Sequence, residues 1–558
     1  MSQMEIKRKQ IICYTYIIGI IGMISMGRLL GDNGLAYMAV AMEAVSIFSL
    51  LTVCGVSDVI ARLQKNRRSK GQYKGVARMR RQLLIIQGVV GVLLTVIFLF
   101  LTDLLADHVF QVPYSVSAMK ILAPVIVIQA LEAVLAGYFQ GSGSQMPSLV
   151  SAVLRQGFFL VFGSLFGKLL AVYGEKVSDL LKDRCYGGMY GAMGVALGMV
   201  AAELLALAFL FIIYMASDRK ADEQKSQEGL RRTESMGDIV RVFYGSLWQG
   251  WCTVLPVLLA VVIGAAMYLS KVTQLFSTVS VVGPSEETGG EMISLAVQSA
   301  NEAIAGYGSF FGKCFLLCLI FVLIAAARCF PVYGRLCAAV RRGDTRYCRD
   351  VASCGLHYVW VMGLYITVIM VVMAPQMATG FFPGRDEGVS AMLRSGSVLV
   401  LMAMLAIMFS VILLAYGERF ILIGMLGIWL ILDLVLQQVF VRISGYNVTG
   451  ILYASMLAVG LLVAGLIAYC LWRERISTEY IRILGIPLIG AGIMGLAIML
   501  VNGLLGAHMS QIVSLVVAAL LGAVVYGAIL VLTRNIREYE ISILYGKQIR
   551  KLLERIIS

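Results

Sequence analysis

Seven of the charged side chains within long apolar stretches of this sequence are candidates for function, because a charge is energetically unfavourable there. They are the acids Glu43, Glu132, Glu203 and Asp433 and the arginines Arg28, Arg155 and Arg328. A charge in the middle of a bilayer costs at least about 2.5 kcal/mol, so such residues usually face a cavity or a partner. Carboxylates in this setting can relay ions, and arginine presents a planar, permanently charged fork that matches phosphate oxygens.

Two interpretations of these residues stay open. In the first, some of the four acids and Gln249 line a shared, water-accessible cavity or bind a coupling ion. In the second, the charges form ion pairs between helices, and Arg28 and Arg328, near helix ends, reach the membrane surface instead. An acid in the middle of a helix cannot reach the surface easily, so each of the acids needs a cavity or a partner.

The elements that must position these residues are transmembrane helices. Of the 558 residues, 59% are hydrophobic and 14% are charged, against about 25% charged residues in soluble proteins. About fourteen apolar stretches are long enough to cross a bilayer at a rise of about 1.5 Å per residue. The predicted spans are 11–31, 35–57, 83–102, 119–140, 149–171, 188–214, 242–268, 312–333, 353–377, 391–415, 420–441, 449–472, 483–503 and 510–533. The sequence therefore predicts an all-α integral membrane protein without a large soluble domain.

The distribution of Lys and Arg predicts the topology. With the N-terminus in the cytoplasm, 33 of the 46 basic residues fall in inner segments and 9 in outer ones, as the positive-inside rule expects. Both termini and the basic loops 62–81 and 335–349 are thus assigned to the cytoplasm, and 176–184 to the outer side. The net charge of +14 follows from this bias, so it does not indicate nucleic acid. We expect a multi-pass protein of the cytoplasmic membrane.

Covalent catalysis has no support in the sequence. No Walker A loop, Ser-His-Asp arrangement or metal-ligand spacing is present, and His108, His357 and His508 are scattered. The eleven cysteines carry no disulfide pattern. The first apolar stretch lacks an A-x-A-like cleavage site and is interpreted as an uncleaved helix. We expect no enzymatic step, metal or cofactor, and leave open a coupling ion, Na⁺ or H⁺.

Two pairs of landmarks indicate an internal repeat. An arginine followed by an Arg-Arg pair occurs in both 59–68 and 331–342, an offset of about 273 residues, and 136–141 is related to 414–419 by about 276. Six-helix units in the same orientation are related by an axis along the membrane normal; alternatively, any short cytoplasmic loop is basic. The predicted domains are a first six-helix lobe at 1–216, a polar linker at 217–240, a second six-helix lobe at 241–473, two extra helices at 474–533 and a basic amphipathic cytoplasmic tail at 534–558.

Several short motifs resemble the MOP superfamily, and in particular its polysaccharide exporters, MurJ-type flippases and stage V sporulation protein B-like members. The part similar to their fourth-to-fifth helix signature comprises Leu122-Ala-Pro124, Gly137-Tyr-Phe-Gln140-Gly141, Pro147 and Arg155-Gln156. The end of their first helix resembles Gly27-Arg28-Leu-Leu-Gly31, and their eighth-helix region resembles Tyr307-Gly308, Pro331 and Gly343-Asp344. The likeness spans most of the chain in order.

This resemblance implies two six-helix lobes around a central cavity, moving by alternating access, and export of a lipid-linked oligosaccharide or peptidoglycan precursor. Arg28 would contact the pyrophosphate of that substrate, with Arg328 and Arg155 as further candidates. The two extra helices would flank its polyprenyl tail. The partners would be this glycan and membrane lipids, whereas the oligomeric state stays open.

The membrane acids depart from the arginine-rich cavity of the MurJ type. They leave room for another glycan or, as an alternative function, for a MATE-like multidrug antiporter in which these carboxylates exchange protons or sodium for a cationic drug. A membrane-embedded glycosyltransferase or polymerase is a third class, which the short outer loops disfavour.

Overall fold

The computed structural model describes residues 3–71, 73–182, 185–225, 236–281, 301–382, 387–442, 448–473, 481–505 and 510–535. These residues are helical nearly throughout and contain no strand, so the predicted all-α membrane fold is confirmed. Most of the predicted amphipathic tail, residues 536–558, lies outside the described residues.

The helices are numbered in chain order. In the first half they are α1 Gln3–Val53, α2 Val56–Ser69, α3 Tyr73–Leu104, α4 Val116–Leu122, α5 Pro124–Gly141, α6 Met146–Leu181, α7 Cys185–Lys225 and α8 Met236–Val281. The next helix, α9, is described over residues 301–309 and leads into a π-helical turn at Phe310–Phe315. It is followed by α10 Leu316–Arg342, α11 Thr345–Val372, α12 Ala374–Phe381, α13 Glu387–Tyr416, α14 Arg419–Arg442, α15 Thr449–Trp472, α16 Ile486–Leu505 and α17 Gln511–Leu532.

Thirteen helical segments among the described residues are long and apolar enough to cross a membrane. Twelve of them each overlap one predicted span. The remaining segment, Tyr14–Ser69, has 56 residues, although about 20 suffice for one crossing. It covers most of the first predicted span, 11–31, and all of the second, 35–57. Inside it, Gly31 has a non-helical backbone (φ 61°, ψ 178°) that glycine adopts without a Cβ penalty. The exact number of fourteen spans stays a prediction.

The described chain forms two compact units. The first unit comprises Ile6–Ser309, and the second comprises Phe310–Ser558 together with Met1–Glu5. The predicted linker 217–240 is helical at both described ends, because α7 continues to Lys225 and α8 begins at Met236. Residues 226–235 of that linker lie outside the described residues, and the predicted domain boundaries stay predictions.

In the first unit, α6 and α7 pack with their backbones in contact. A Cβ added to Gly198 would lie 2.5 Å from the Cα of Gly163, and one added to Gly194 would lie 2.8 Å from the Cα of Gly167. These glycines are spaced by four residues on each helix, which places them on one face. Small residues let membrane helices approach closely enough for van der Waals packing to hold them together.

In the second unit, the last two helices pack on α11 through polar groups of aromatic side chains. The Trp360 indole donates to the carbonyl oxygen of Leu484, in the π-helical turn Ile481–Gly485 that leads into α16, at 3.1 Å. The Tyr365 hydroxyl donates to the carbonyl oxygen of Ala519 on α17 at 2.7 Å. Both bonds give a polar side-chain group a hydrogen-bond partner, which lipid could not provide. This contact attaches the two helices outside the predicted duplication to the second unit.

Candidate functional site

Three of the predicted charged residues meet in the first unit. The Nη1 atom of Arg155, on α6, lies 3.2 Å from Oε2 of Glu132 on α5 and 3.2 Å from Oε2 of Glu203 on α7. The two carboxylates are 23 and 48 residues away from the arginine along the chain. Charge-assisted bonds of this kind are stronger than neutral ones, so this triad joins three membrane-spanning helices.

Two uncharged residues extend the triad. The Gln129 amide donates from Nε2 to Oε1 of Glu203 at 2.9 Å, and the Ser49 hydroxyl of α1 donates to Oε1 of Gln129. Gln129 and Glu132 are three residues apart on α5, a spacing that puts both on one helix face. The network therefore connects α1, α5, α6 and α7.

The triad is deeply placed but not fully enclosed. The side chain of Glu203 is 3% exposed, that of Glu132 11% and that of Arg155 33%. Both ion pairs use Nη1, and Oε1 of Glu132 is buried without a hydrogen-bond partner in the described part of the chain. With both carboxyls ionised the triad carries one net negative charge. It can therefore take up a cation, and its arginine keeps Nε and Nη2 for an anion.

A cavity of about 240 Å³ reaches the network from one side. Its polar wall is Ser46, Ser49 and Gln129, and the other lining residues are Met42, Val45, Leu50, Val53, Leu122, Val125 and Met199. Gln129 thus contacts both the cavity and Glu203. A space that is mostly apolar with a few polar groups is typical of ligand sites.

The structure brings Glu43 to a partner that the sequence analysis did not select. The hydroxyl of Tyr307, on α9, donates to Oε1 of Glu43 on α1. Both residues are buried, with 4% of Glu43 and 1% of Tyr307 exposed. The only sequence signal was the position of Tyr307 beside Gly308 in a family motif, which says nothing about its partner.

Asp433 lies in a separate polar cluster in the second unit. The Gln437 amide on α14 donates to Oδ2 of Asp433 at 2.6 Å and approaches the Ser455 hydroxyl of α15 at 3.4 Å. Asp433 is 2% exposed. Oδ1 of Asp433 and Oε1 of Gln437 are buried without hydrogen-bond partners in the described ranges. The cluster therefore offers two buried oxygen acceptors beside the Ser455 hydroxyl, which interacts with the Asp433 carboxylate.

Of the other three candidates, the structure describes only the side chain of Arg28. Arg28 is exposed and precedes the kink at Gly31 by three residues. Arg328 lies on α10 and Gln249 lies on α8, but their side chains are not among the described ones. A buried cation that was not selected, Lys313, lies in the π-helical turn before α10 and is 6% exposed. Within the described ranges, no group of three or more His, Cys, Asp or Glu could hold a metal ion.

The fold is similar to that of solved membrane transporters. The chain is similar to a solved structure described as "Lipid II flippase MurJ, inward closed conformation", with a TM-score of 0.60, 11% identity, and coverage of 95% of this chain and 99% of that one. It is also similar to an inward-facing multidrug resistance MATE family transporter, with a TM-score of 0.59, 14% identity, and coverage of 82% and 94%. The resemblance to the MOP superfamily is confirmed, and both branches share the fold.

Sequence comparison agrees with this fold. Residues 11–242 match a family model described as "Polysaccharide biosynthesis protein". A curated relative, stage V sporulation protein B of Bacillus subtilis (strain 168), is 26% identical over 200 residues. That alignment spans 36% of each protein, so the chain matches little more than a third of this relative's length.

Proposed function

We propose that this multi-pass membrane protein is a flippase of the cytoplasmic membrane that translocates a lipid-linked oligosaccharide or peptidoglycan precursor by alternating access. The observation that carries the proposal is the Arg155–Glu132–Glu203 triad, since charges inside a helical membrane bundle commonly mark a transport pathway. The family match of residues 11–242 supports a polysaccharide pathway. The likeness to a lipid II flippase supports a lipid-linked substrate.

The substrate's pyrophosphate is the group that an arginine would recognise. Arg28 is exposed beside the kink at Gly31, so it is the proposed first contact. Arg155 is one-third exposed and has Nε and Nη2 outside its two described ion pairs, which makes it a second contact. Arg328 is retained as a third from the sequence alone.

Translocation of a charged headgroup needs an energy source, for which we propose the membrane potential or an ion gradient. The Asp433 cluster is a candidate ion site, because oxygen atoms are the ligands that hard cations prefer. Two of its buried acceptors, Oδ1 of Asp433 and Oε1 of Gln437, would bind Na⁺ together with the Ser455 hydroxyl, and protonation of Asp433 would serve equally. In the first unit, Glu132 and Glu203 are the corresponding candidates.

A MATE-like multidrug antiporter is the second candidate function. It is favoured by the net negative charge of the triad, which suits a cationic substrate, and by the similarity to a MATE family transporter. In that function Glu43, Glu132, Glu203 or Asp433 would exchange protons or sodium for the drug.

One reconstituted preparation tests both functions. Purified protein in proteoliposomes is assayed for inversion of a fluorescent lipid-linked oligosaccharide and for efflux of a cationic dye, in wild type, Arg28→Ala and Arg28→Lys. We expect Arg28→Ala to abolish inversion while membrane insertion persists, and Arg28→Lys to restore it partly, because lysine lacks the planar fork. Unchanged inversion in Arg28→Ala would remove this residue from the mechanism. Dye efflux without inversion would support the antiporter instead.

A further inference from the structure

The buried contact between Glu43 and Tyr307 joins residues that are 264 positions apart. Glu43 belongs to the predicted first lobe, 1–216, whereas Tyr307 follows the predicted linker and belongs to the predicted second lobe. In the structure both lie inside the first compact unit. Tyr307, which follows the predicted linker in the sequence, is therefore packed within the first compact unit.

The backbone of α9 also touches α1. Gly308 is so close to α1 that an added Cβ would lie 2.7 Å from the backbone nitrogen of Ala36 and in conflict with the carbonyl oxygen of Asp32. Residues 35–41 are each no more than 1% exposed. Around this contact, α1 is thus covered on all sides.

Two further contacts hold α9 against its neighbours in the first unit. The rings of Tyr307 and Tyr268, which comes from α8, stack with centroids 6.3 Å apart. Sγ of Cys185, at the start of α7, lies 4.0 Å from Oδ1 of Asn301 at the start of the described part of α9. In the predicted topology, α9 and the first turn of α7 both lie at the outer membrane surface.

The hydrogen bond between Tyr307 and Glu43 is well suited to a contact between α9 and α1 that forms and breaks. Oε2 of Glu43 is buried without a hydrogen-bond partner in the described part of the chain. A buried carboxyl oxygen without a partner destabilises the closed arrangement, and water would satisfy it once α9 moves away. The Tyr307 hydroxyl opposes this release, since it pairs with the other oxygen only while α9 remains seated.

We propose that Tyr307 and Glu43 form a latch that holds the outer side closed, and that the latch breaks whenever the protein opens outward. The proposal rests on the proposed alternating access. It assigns Tyr307 as a positioning residue that sets the population of the outward-open state. The latch can close only if position 308 has no side chain, because a Cβ there would collide with the backbone of α1.

The native Cys185 reports on this closure, because it is buried beside Asn301. A variant with Cys185 as its single cysteine is labelled with a membrane-impermeant maleimide in sealed vesicles, without any substrate. Tyr307→Phe removes the hydroxyl and keeps the ring. Loss of one net hydrogen bond of about 0.5–1.5 kcal/mol predicts labelling of Cys185 roughly 2- to 13-fold faster. The matched control is Tyr268→Phe, whose hydroxyl has no described hydrogen bond and which we expect to label at the wild-type rate.

Variants of the acceptor distinguish a latch from a general loss of packing. Glu43→Gln keeps a carbonyl oxygen for the Tyr307 hydroxyl and should label nearly as wild type. In Glu43→Ala, Cys185 should be labelled as fast as in Tyr307→Phe. In the double variant Glu43→Ala/Tyr307→Phe the labelling rate should rise little beyond that of either single variant. Equal labelling of Tyr307→Phe and Tyr268→Phe, or fully additive effects in the double variant, would overturn the latch.

Gly308→Ala provides an independent test if the tyrosine variants do not fold. Its Cβ excludes the closed arrangement, so we expect rapid labelling of Cys185 in a folded protein. Gly334→Ala, on α10 with no atom within 4 Å of the added Cβ, is the control. A Gly308→Ala protein that labels as slowly as Gly334→Ala, or one that alone fails to fold, shows a permanent contact and rejects the latch. Faster labelling in variants of a protein that moves neither glycan nor dye would keep the latch and reject the proposed function.

Discussion

Glu132 and Glu203 bind the same nitrogen of Arg155 but differ in their second oxygen. In Glu203 that oxygen accepts a hydrogen bond of 2.9 Å from the Gln129 amide. In Glu132 it is buried and has no hydrogen-bond partner among the described residues. The two carboxyls therefore respond differently to the same substitution.

Replacing each acid by glutamine should reveal this difference. Glu132→Gln can point its NH₂ group at the unpartnered side, so we expect the free energy of unfolding to change by less than about 1 kcal/mol. Glu203→Gln places its NH₂ group against either Gln129 or Arg155, both of which donate to this acid in the structure, and should lose about 1–3 kcal/mol. Thermal unfolding of the purified variants in detergent measures both.

Glu132→Gln also distinguishes a role of this acid in transport from a role in the fold. Glu132→Gln should alter ion coupling in the reconstituted assay while the protein remains folded. Loss of folded Glu132→Gln from the membrane would instead mean that this acid serves the fold.

The glycine interface between α6 and α7 should tolerate no side chain. Gly194→Ala and Gly198→Ala each place a Cβ against backbone atoms of α6, which cannot move aside as a flexible side chain would. We expect each to destabilise the protein by about 1–3 kcal/mol. Gly157→Ala on α6 has open space around the added Cβ and should be neutral or slightly stabilising, since alanine favours helix. Melting temperatures that do not separate these variants would argue against tight packing.

Asp433 should determine the response of the protein to its coupling ion. A ligand at about 100 times its Kd stabilises the folded state by about 2.7 kcal/mol. Thermal unfolding is compared in sodium and choline chloride at equal ionic strength, and then between pH 6 and pH 8. We expect Asp433→Asn to remove the response to the coupling ion, because a carboxylate becomes an uncharged amide.

Asp344→Asn is the control for this experiment. Asp344 caps α11 by accepting a hydrogen bond from the Tyr347 backbone at 3.0 Å, and asparagine caps equally well. This variant should keep the full ion response. A wild-type response that Asp433→Asn retains would exclude the Asp433 cluster as the coupling site.

The predicted topology is tested by labelling from outside the cell. Asn66 lies on α2, and Lys176 lies on α6; both are exposed in the structure. In a cysteine-free background, Asn66→Cys should be protected from impermeant reagents in intact cells, and Lys176→Cys should react. Reaction at position 66 would overturn the assignment of the basic loops to the cytoplasm.

Part of the candidate site could be predicted from the residue types. Glu132 and Glu203 were selected because a charge in the middle of an apolar span needs a cavity or a partner, and the structure provides Arg155 as that partner. The spacing of Gln129 and Glu132 already placed them on one helix face. Tyr307 and Ser49 gave no comparable signal, because a tyrosine or serine in a membrane helix carries no charge.

The sequence by itself determined the class of protein, because crossing a bilayer requires about 20 consecutive apolar residues and this property is local. The charges in the loops likewise predict a topology without any contact between helices. Only the tertiary structure decided which charges meet. The contacts from Arg155 to Glu203 and from Tyr307 to Glu43 depend on how each helix is rotated and how closely it approaches its neighbours. Those quantities arise from packing between residues far apart in the chain, such as Gly198 on Gly163 and Gly308 on Ala36.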